Sequence, residues 1–131
     1  MTMKARYAVL ATAVAGFAAG AVTIEQLHAQ AKPPVYYIGE IDMKDPEGYQ
    51  KEYAPKAQAT IKQYGGRLLA AGSNVKSFEG APPKSRVAIQ QWDSMEKIEA
   101  WRNSPEYKEA RKIGDKYATF RAFAIVGMPQ Q

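Results

Sequence analysis

The chain has 131 residues, of which 46% are hydrophobic and 24% charged, a composition typical of one globular domain that excludes a disordered or collagen-like protein. It contains no cysteine and a single histidine, His28, so disulfides, thiolate catalysis and Cys–His zinc sites are excluded. The net charge of +5 is interleaved with acidic residues and forms no basic run, a pattern that does not favour nucleic-acid binding.

The first 31 residues have the pattern of an export signal. A short basic start at Lys4 and Arg6 precedes residues 7–24, which carry no charge, and Ala29 and Ala31 supply the small residues that a signal peptidase recognises. An uncleaved membrane anchor is the alternative, because this uncharged stretch approaches the length of a bilayer span. Alanine and glycine make up half of the stretch, so the apolar drive for insertion is weak and cleavage is favoured.

Cleavage between Ala31 and Lys32 divides the chain into a signal peptide, residues 1–31, and a single domain, residues 32–131. We therefore predict a protein of the bacterial periplasm, with no membrane attachment after cleavage. His28 leaves with the signal peptide, so the mature chain has no imidazole or thiol for acid–base or nucleophilic catalysis.

Strand and helix signals alternate in the first half of this domain. Residues 35–41 are rich in β-branched and aromatic side chains and predict a strand. Asp45 and Pro46 then match the N-cap and the first position of a helix, and Gly65-Gly66 matches its end. Pro55 lies inside this helix, where it either kinks or restarts it. The apolar stripe of the helix recurs nearly every four residues, at Tyr49, Tyr53, Ala57, Ile61 and Tyr64.

The second half of the domain completes the order β-α-β-β-α-β, which predicts an α+β protein with the ferredoxin-like arrangement. Its strands and helices are recognised by β-branched runs, by Ser caps and by a turn rich in glycine and proline. The predicted elements are a strand at residues 67–72 with an extension over 75–78, a turn at 79–85, a strand at 86–92, helices capped by Ser94 and by Ser104-Pro105, and a last strand at 120–126.

Both faces of the predicted sheet carry apolar side chains at the start of the first strand. The first strand alternates Val35 and Tyr37 with Tyr36 and Ile38, and the last strand, residues 120–126, is apolar on both sides as well. Two helices cover only one face, so the other needs a cover, and a second copy of the same sheet is the simplest one. We predict a homodimer that buries roughly 800 Å² of each partner. The alternative is a twisted monomeric sheet with scattered exposed apolar residues.

An ordered set of short stretches resembles the bacterial domain-of-unknown-function family 1330, within the dimeric α/β-barrel superfamily. The resemblance spans about residues 35–127 and implies a ferredoxin-like protomer and a homodimer, but no known reaction. Related superfamily members include cofactor-independent monooxygenases, isomerases of small lactones and haem-handling enzymes, which use a pocket between sheet and helices. The stretches are Tyr36-Tyr37, residues 64–69, Phe78-Glu79-Gly80, Arg86-Val87, residues 94–101, residues 104–107, Arg111 and Val126-Gly127.

Two positions depart from the family's pattern. Gln91-Trp92-Asp93 stands where Glu-Phe-Pro is common, and a glutamine cannot act as a general acid or base. Ala71 stands where family members often carry an arginine. Both departures argue against a charged catalytic centre in this chain.

Five side chains are candidates for ligand binding, and each has a structural alternative. Arg111 borders the apolar stripe of its helix. Its guanidinium either enters the pocket between sheet and helices and binds a carboxylate, or it pairs with an acidic residue on the surface while the aliphatic part of the side chain covers the core. Tyr36 and Tyr37 place one phenol on each face of the sheet, where a buried hydroxyl usually finds a backbone partner. Gln91 is a half-buried amide, and Arg67 follows two glycines, where it reaches an anion or solvent.

Three function classes follow from these features, and the sequence leaves open whether the protein is an enzyme. The first is a pocket that binds or transforms a small organic anion or aromatic molecule. We expect no metal or other cofactor there, because the mature chain has no histidine, no cysteine and no Asp-x-Asp-x-Asp spacing. The second is a non-catalytic dimeric module whose core is filled by side chains. RNA binding ranks last, because residues 86–92 lack the basic–aromatic run of RNA-recognition domains.

Overall fold

The computed structural model describes residues 32–129 of the 131. The predicted signal peptide, including His28 and the residue before its cleavage site, Ala31, lies outside the described residues. No helix within residues 32–129 is long and apolar enough to cross a membrane.

The described elements follow the predicted β-α-β-β-α-β order. The four strands form one antiparallel sheet in the order β2-β3-β1-β4, in which β1 and β3 are central and β2 and β4 are edges. This order confirms the ferredoxin-like arrangement. The strands are β1 (Val35–Met43), β2 (Arg67–Gly72), β3 (Arg86–Trp92) and β4 (Ala118–Val126), and the helices are α1 (Pro46–Gly48), a π-helical segment (Tyr49–Tyr53), α2 (Ala54–Gln63), α3 (Met95–Asn103) and α4 (Pro105–Tyr117).

The first helical region changes its hydrogen-bond pattern because of Pro55. The region begins as predicted, with Asp45 Oδ1 accepting a hydrogen bond from the Gly48 backbone N–H at 3.1 Å. The backbone N–H of Ala54 then donates to the Tyr49 carbonyl, five residues back, which is a π-helical bond. An α-helix restarts at Ala54 and places Pro55 in its first turn, where the missing N–H costs little. Of the two alternatives, the restart is therefore the one observed.

The two later helices begin at the predicted serine caps. Ser94 Oγ accepts from the Lys97 backbone N–H at 3.2 Å, and Ser104 Oγ accepts from the Tyr107 backbone N–H at 3.2 Å. Ser104 is itself buried, because it also ends α3 by donating to the Trp101 carbonyl at 2.7 Å. One residue thus ends α3 and begins α4.

The predicted extension of β2 over residues 75–78 is wrong. These residues form no strand, and Phe78 is 86% exposed. The pairing of β2 with β3 ends at Gly72, opposite Val87, because β3 begins only at Arg86. The residues before Arg86 include two prolines, which have no N–H to donate to a neighbouring strand. The irregularity predicted after β2 lies within it instead, where the register shifts between Leu68 and Ala70.

The helices cover one face of the sheet, and the hydrophobic core lies between the helices and that face. Trp92 and Trp101 are its most completely buried side chains. Their indole N–H groups are both satisfied: Trp101 Nε1 donates to Thr60 Oγ1 at 3.0 Å and Trp92 Nε1 donates to Gln90 Oε1 at 2.9 Å. The aromatic core therefore holds α2, α3 and β3 together without an unpaired indole.

The opposite face of the sheet, which we call the open face, is apolar at its centre, as the sequence predicts. Ile38 on β1 lies opposite Ile89 on β3 and Phe123 on β4. Phe123 is 45% exposed and Ile125 is 59% exposed. No described residue of the chain covers this patch.

Candidate functional site

A row of small residues runs across the helix-covered face of the sheet. The strand register places Ala71, Ala88, Gly39 and Ala122 side by side, one from each strand in the order β2-β3-β1-β4. Neighbouring rows on the same face carry much larger side chains, among them Tyr37 and Phe120. The missing side-chain volume leaves a depression in the sheet that the helices bridge without filling.

This depression is the floor of a pocket between the sheet and the helices. The pocket encloses about 610 Å³ of empty space, counting the part that is open to solvent. A methyl group built on Gly39 would meet no atom closer than 4.0 Å, so the space above the floor is free at that point. The walls are formed mainly by the π-helical segment, α2 and α4.

Four tyrosines on different elements line the walls of the pocket, namely Tyr37 on β1, Tyr49 and Tyr53 on the π-helical segment and Tyr107 on α4. The π-helical turn places Tyr49 and Tyr53 next to each other, with ring centres 5.2 Å apart. Tyr53 approaches α4 at Gly114, where a β-carbon would lie 2.7 Å from its ring. The Pro55 restart and the glycine in α4 therefore both serve to seat Tyr53 in the pocket wall.

The buried phenols are held in their protonated form. Burial raises the pKa of Tyr37, with a further contribution from Tyr107, while Arg102 opposes the rise and donates to the Tyr37 hydroxyl at 2.5 Å. Burial also raises the pKa of Tyr49, against the opposing effect of Arg86, and burial together with Tyr107 raises that of Tyr53. At neutral pH these side chains donate hydrogen bonds and do not act as bases.

Alkaline titration tests this description. A raised folded-state pKa favours the native state below the unfolded pKa of about 10, and that contribution is lost as the pH rises through the folded-state value. We therefore expect Tyr37, Tyr49 and Tyr53 to stay protonated where free tyrosine ionises, and the free energy of unfolding to fall above about pH 10. Ultraviolet absorbance of the phenolate and urea unfolding measure the two effects. Tyr53→Phe, which should remove one late-titrating phenol, is the control, and ionisation of every tyrosine near pH 10 in a folded protein would contradict the description.

Three arginines line the pocket, and two of them have carboxylate partners. Arg111 Nε donates to Asp115 Oδ1 at 2.9 Å, and its Nη1 donates to the Tyr107 hydroxyl at 3.4 Å. Burial lowers the pKa of Arg111, but these hydrogen bonds outweigh it and raise the pKa overall, so the cation is secure. Arg121 pairs with Glu40 on the open face, where its side chain is 70% exposed, so its guanidinium lies outside the pocket.

Arg86 is the third arginine, and its situation differs. It lines the pocket at the start of β3 and forms no ion pair with any carboxylate of residues 32–129. Its Nε atom is buried and has no hydrogen-bond partner. A buried donor without an acceptor is rare in a folded protein and points to an unfilled role.

The five predicted ligand-binding residues lie on two different faces of the sheet. Tyr37 and Arg111 line the pocket. Tyr36, Gln91 and Arg67 lie on the open face and do not line it, because the strand register turns them away from the helices. Arg67 Nη2 donates to Gln91 Oε1 at 3.1 Å across β2 and β3.

The pocket also contains polar side chains that were not predicted as site residues. Arg86 and Gln90 are on β3, and Tyr49 and Tyr53 were interpreted only as parts of an apolar helix stripe. Tyr107 was named only within a stretch that carries the family resemblance. One signal was present: Arg86, Ala88, Gln90 and Trp92 alternate on the core-facing side of a central strand, where two polar residues are unusual. No carboxylate is among the described residues that line the pocket, and residues 32–129 contain no group of three or more metal-binding side chains.

Comparisons with known proteins agree with the observed fold. One family model matches nearly the whole of the described domain. The family model described as "Domain of unknown function (DUF1330)" matches residues 34–128. No curated protein matches the sequence.

Solved structures with the same fold are distant in sequence. A protein of unknown function from Rhodopseudomonas palustris is 16% identical, with a TM-score of 0.61 over 79% of this chain and 92% of that chain. A dimeric protein of unknown function with a ferredoxin-like fold, from Bacteroides fragilis, is 15% identical, with a TM-score of 0.53 over 71% and 95%. SnoaB, a cofactor-independent oxygenase from Streptomyces nogalater, is 10% identical, with a TM-score of 0.56 over 75% and 96%.

Proposed function

The chain belongs to the domain-of-unknown-function family 1330, and we propose that it binds a small organic molecule in the pocket between its sheet and helices. The observation that carries this proposal is the row of small residues across all four strands, which forms the floor of the pocket beneath the helices. Ligand sites are typically apolar concavities with a few converging polar groups, and this pocket combines an Ala/Gly floor with phenol and guanidinium donors.

The contents of the pocket favour this function over a purely structural module. A module that acts through its surface needs a filled core, whereas Gly39 and its neighbours leave space at the centre of the domain. An empty pocket that contains a buried donor without a partner, the Nε of Arg86, does not stabilise the fold. The space is therefore best explained as a ligand site, with Tyr37 and Arg111 among the residues that line it.

Cofactor-free transformation of the bound molecule is the second candidate function. SnoaB, which shares the fold, is described as a cofactor-independent oxygenase. In this chain the pocket offers hydrogen-bond donors and cations but no described carboxylate, so its residues stabilise an anionic ligand and do not remove a proton from a neutral one. This donor set supports binding more directly than acid–base catalysis.

The compartment and the assembly state belong to the same proposal. We place the mature protein in the bacterial periplasm after cleavage between Ala31 and Lys32, with no membrane attachment and no nucleic-acid partner. The open face, with Ile38 at its centre, pairs with the open face of a second copy. The Bacteroides fragilis neighbour, described as dimeric, is consistent with a homodimer of this kind.

Ligand capture followed by shift mapping tests the proposed function. We expect native mass spectrometry of the protein purified from its own host to reveal a bound organic molecule, and no stoichiometric metal. Backbone amide NMR with the recovered compound should then show shift changes concentrated at Gly39, Ala88 and Ala122, because these residues form the pocket floor. If no compound is recovered and a fragment library shifts only open-face residues, the pocket is not the binding site.

A further inference from the structure

We propose that Arg86 is the anchor of the pocket for the negative charge of a carboxylate ligand, whose flat apolar body lies on the row of small residues. This inference rests on the proposed function, since it names the class of molecule that the same pocket takes. It differs from the sequence-based expectation, which assigned the anion to Arg111.

Arg86 faces the neutral hydroxyl of Tyr49 but has no carboxylate partner among the described residues. A partly buried guanidinium is normally matched by a carboxylate, as Arg111 is by Asp115. Arg86 has no such partner within residues 32–129, and its buried Nε donates to nothing. An anionic ligand supplies both the missing charge and the missing acceptor, and a carboxylate fits the planar fork of an arginine through two parallel hydrogen bonds.

Arg111 is already bonded to other side chains of the pocket wall and its surroundings. Its Nε is occupied by Asp115, its Nη1 faces the Tyr107 hydroxyl, and its guanidinium carbon lies 3.9 Å from the centre of the Phe120 ring. Binding a ligand carboxylate through Nε would break the ion pair with Asp115. We therefore assign Arg111 to holding Tyr107 and Phe120 in the pocket wall.

The register of the sheet gives the orientation of the ligand. Arg86 lies opposite Ile41 at one side of the small-residue row, and Gln90 lies opposite Tyr37 at the other side. Four residues separate Arg86 from Gln90, so their Cα atoms are roughly 13 Å apart along the strand. A carboxylate at Arg86 therefore directs its body over Ala88 and Gly39 toward Tyr37. One aromatic ring or a short alkyl chain fits within this distance.

Surroundings of the Arg86 guanidinium also fit an organic acid better than an inorganic anion. The Tyr49 ring centre lies 5.5 Å from the guanidinium carbon, and the adjoining wall includes Ile41 and Phe120. Arg111, which stacks on Phe120 at the same end, is already bonded to Asp115 and Tyr107, and the other side chains there are aliphatic or aromatic, so a phosphate or sulfate would leave some of its oxygens without donors. A monocarboxylate exposes only two oxygens and buries its apolar body on the floor.

Matched pairs of acids and amides test the assignment of the anchor. The probes are benzoate with benzamide and 3-phenylpropionate with 3-phenylpropionamide, titrated into the full-length mature protein at neutral pH and followed by amide NMR. We expect each acid to bind the wild-type protein roughly tenfold or more tightly than its amide, the effect of a charge-assisted hydrogen bond. The variant Arg86→Met should bind acid and amide equally, and it should melt at the same temperature or higher, because it removes an unpaired buried donor.

Two further variants separate this assignment from its competitors. Lys112→Met removes an exposed cation of α4 that pairs with Glu109, and it should keep the full preference for acids, which controls for net charge. Loss of the preference in Arg111→Met with its retention in Arg86→Met would overturn the assignment to Arg86. Equal binding of acid and amide by the wild-type protein would overturn it too while leaving the proposed pocket intact. Binding of neither probe pair would overturn the carboxylate assignment, and the ligand-capture experiment then decides the proposed function separately.

Discussion

Replacing Ile38 with lysine should convert a dimeric protein into a monomer and lower its melting temperature strongly. Ile38 occupies the centre of the open face, flanked by Ile89 on one side and Phe123 on the other. In the proposed dimer this position is buried against the same face of the partner, and the two-fold axis brings two new lysines into one apolar interface. Burying an unpaired ammonium costs several kcal/mol, and each interface would carry two.

Sedimentation velocity at micromolar concentration measures this outcome directly. The wild-type protein should sediment at twice the mature mass, and Ile38→Lys at one mass with an earlier thermal transition. Ala100→Lys, which adds the same charge at an exposed position on α3, should remain dimeric and serves as the matched control. A wild-type monomer that melts cooperatively, or an Ile38→Lys variant that stays dimeric, would show that the open face is not the interface.

The local signals that define the fold could be read from the sequence because they depend on neighbouring residues. Asp45, Ser94 and Ser104 cap helices wherever the chain places them, since each bonds to a backbone N–H three residues later. Pro55 could be identified as a disturbance, but its consequence could not, because a kink and a restart satisfy the same local rule. The choice depends on the packing of Tyr49 and Tyr53 against the sheet.

Errors arose where the outcome depended on a partner strand. Residues 75–78 have the composition of a strand, but β3 begins too late to pair with them, and strand propensity without a partner forms no ladder. The pocket depends on register in the same way. Ala71, Ala88, Gly39 and Ala122 are ordinary residues in four separate strands, and only the pairing brings them into one row.

The candidate site was accessible to sequence reasoning only in part. Alternation within β1 correctly separates Tyr36 from Tyr37, because successive residues of a strand point to opposite faces. The same rule assigns Gln91 to the face opposite Gln90, but the sequence does not state which face the helices cover. Arg86 was missed as a site residue because an arginine at the start of a strand is usually solvated, and the burial of its Nε depends on how the rest of the domain packs around β3.

Substitution of Gly39 should abolish ligand binding while leaving the protein as stable as before, or more so. Gly39 has an ordinary negative φ, and an added β-carbon would project into the pocket with no atom closer than 4.0 Å. Gly39→Ala should raise the free energy of unfolding by about 0.5–1 kcal/mol, since alanine reduces the entropy of the unfolded chain. Gly39→Leu should fill the floor of the pocket, bury additional apolar surface and exclude an aromatic ring from the space above Ala88.

Loss of binding with retained stability would show that the leucine fills the pocket without disturbing the fold. Benzoate and benzamide should both lose affinity for Gly39→Leu by at least tenfold, because the body of the probe, common to both, is what the leucine displaces. Gly72→Ala gains the same backbone restriction in β2, where no atom lies within 4 Å of the new β-carbon, and it should bind both probes like the wild-type protein. Unchanged binding by Gly39→Leu, with its melting temperature maintained, would show that the probes do not occupy the floor of the pocket. A structural role for Gly39 predicts the opposite pattern, since a leucine that distorted β1 would lower the melting temperature and loosen the packing of Tyr37 and Trp101 along with it.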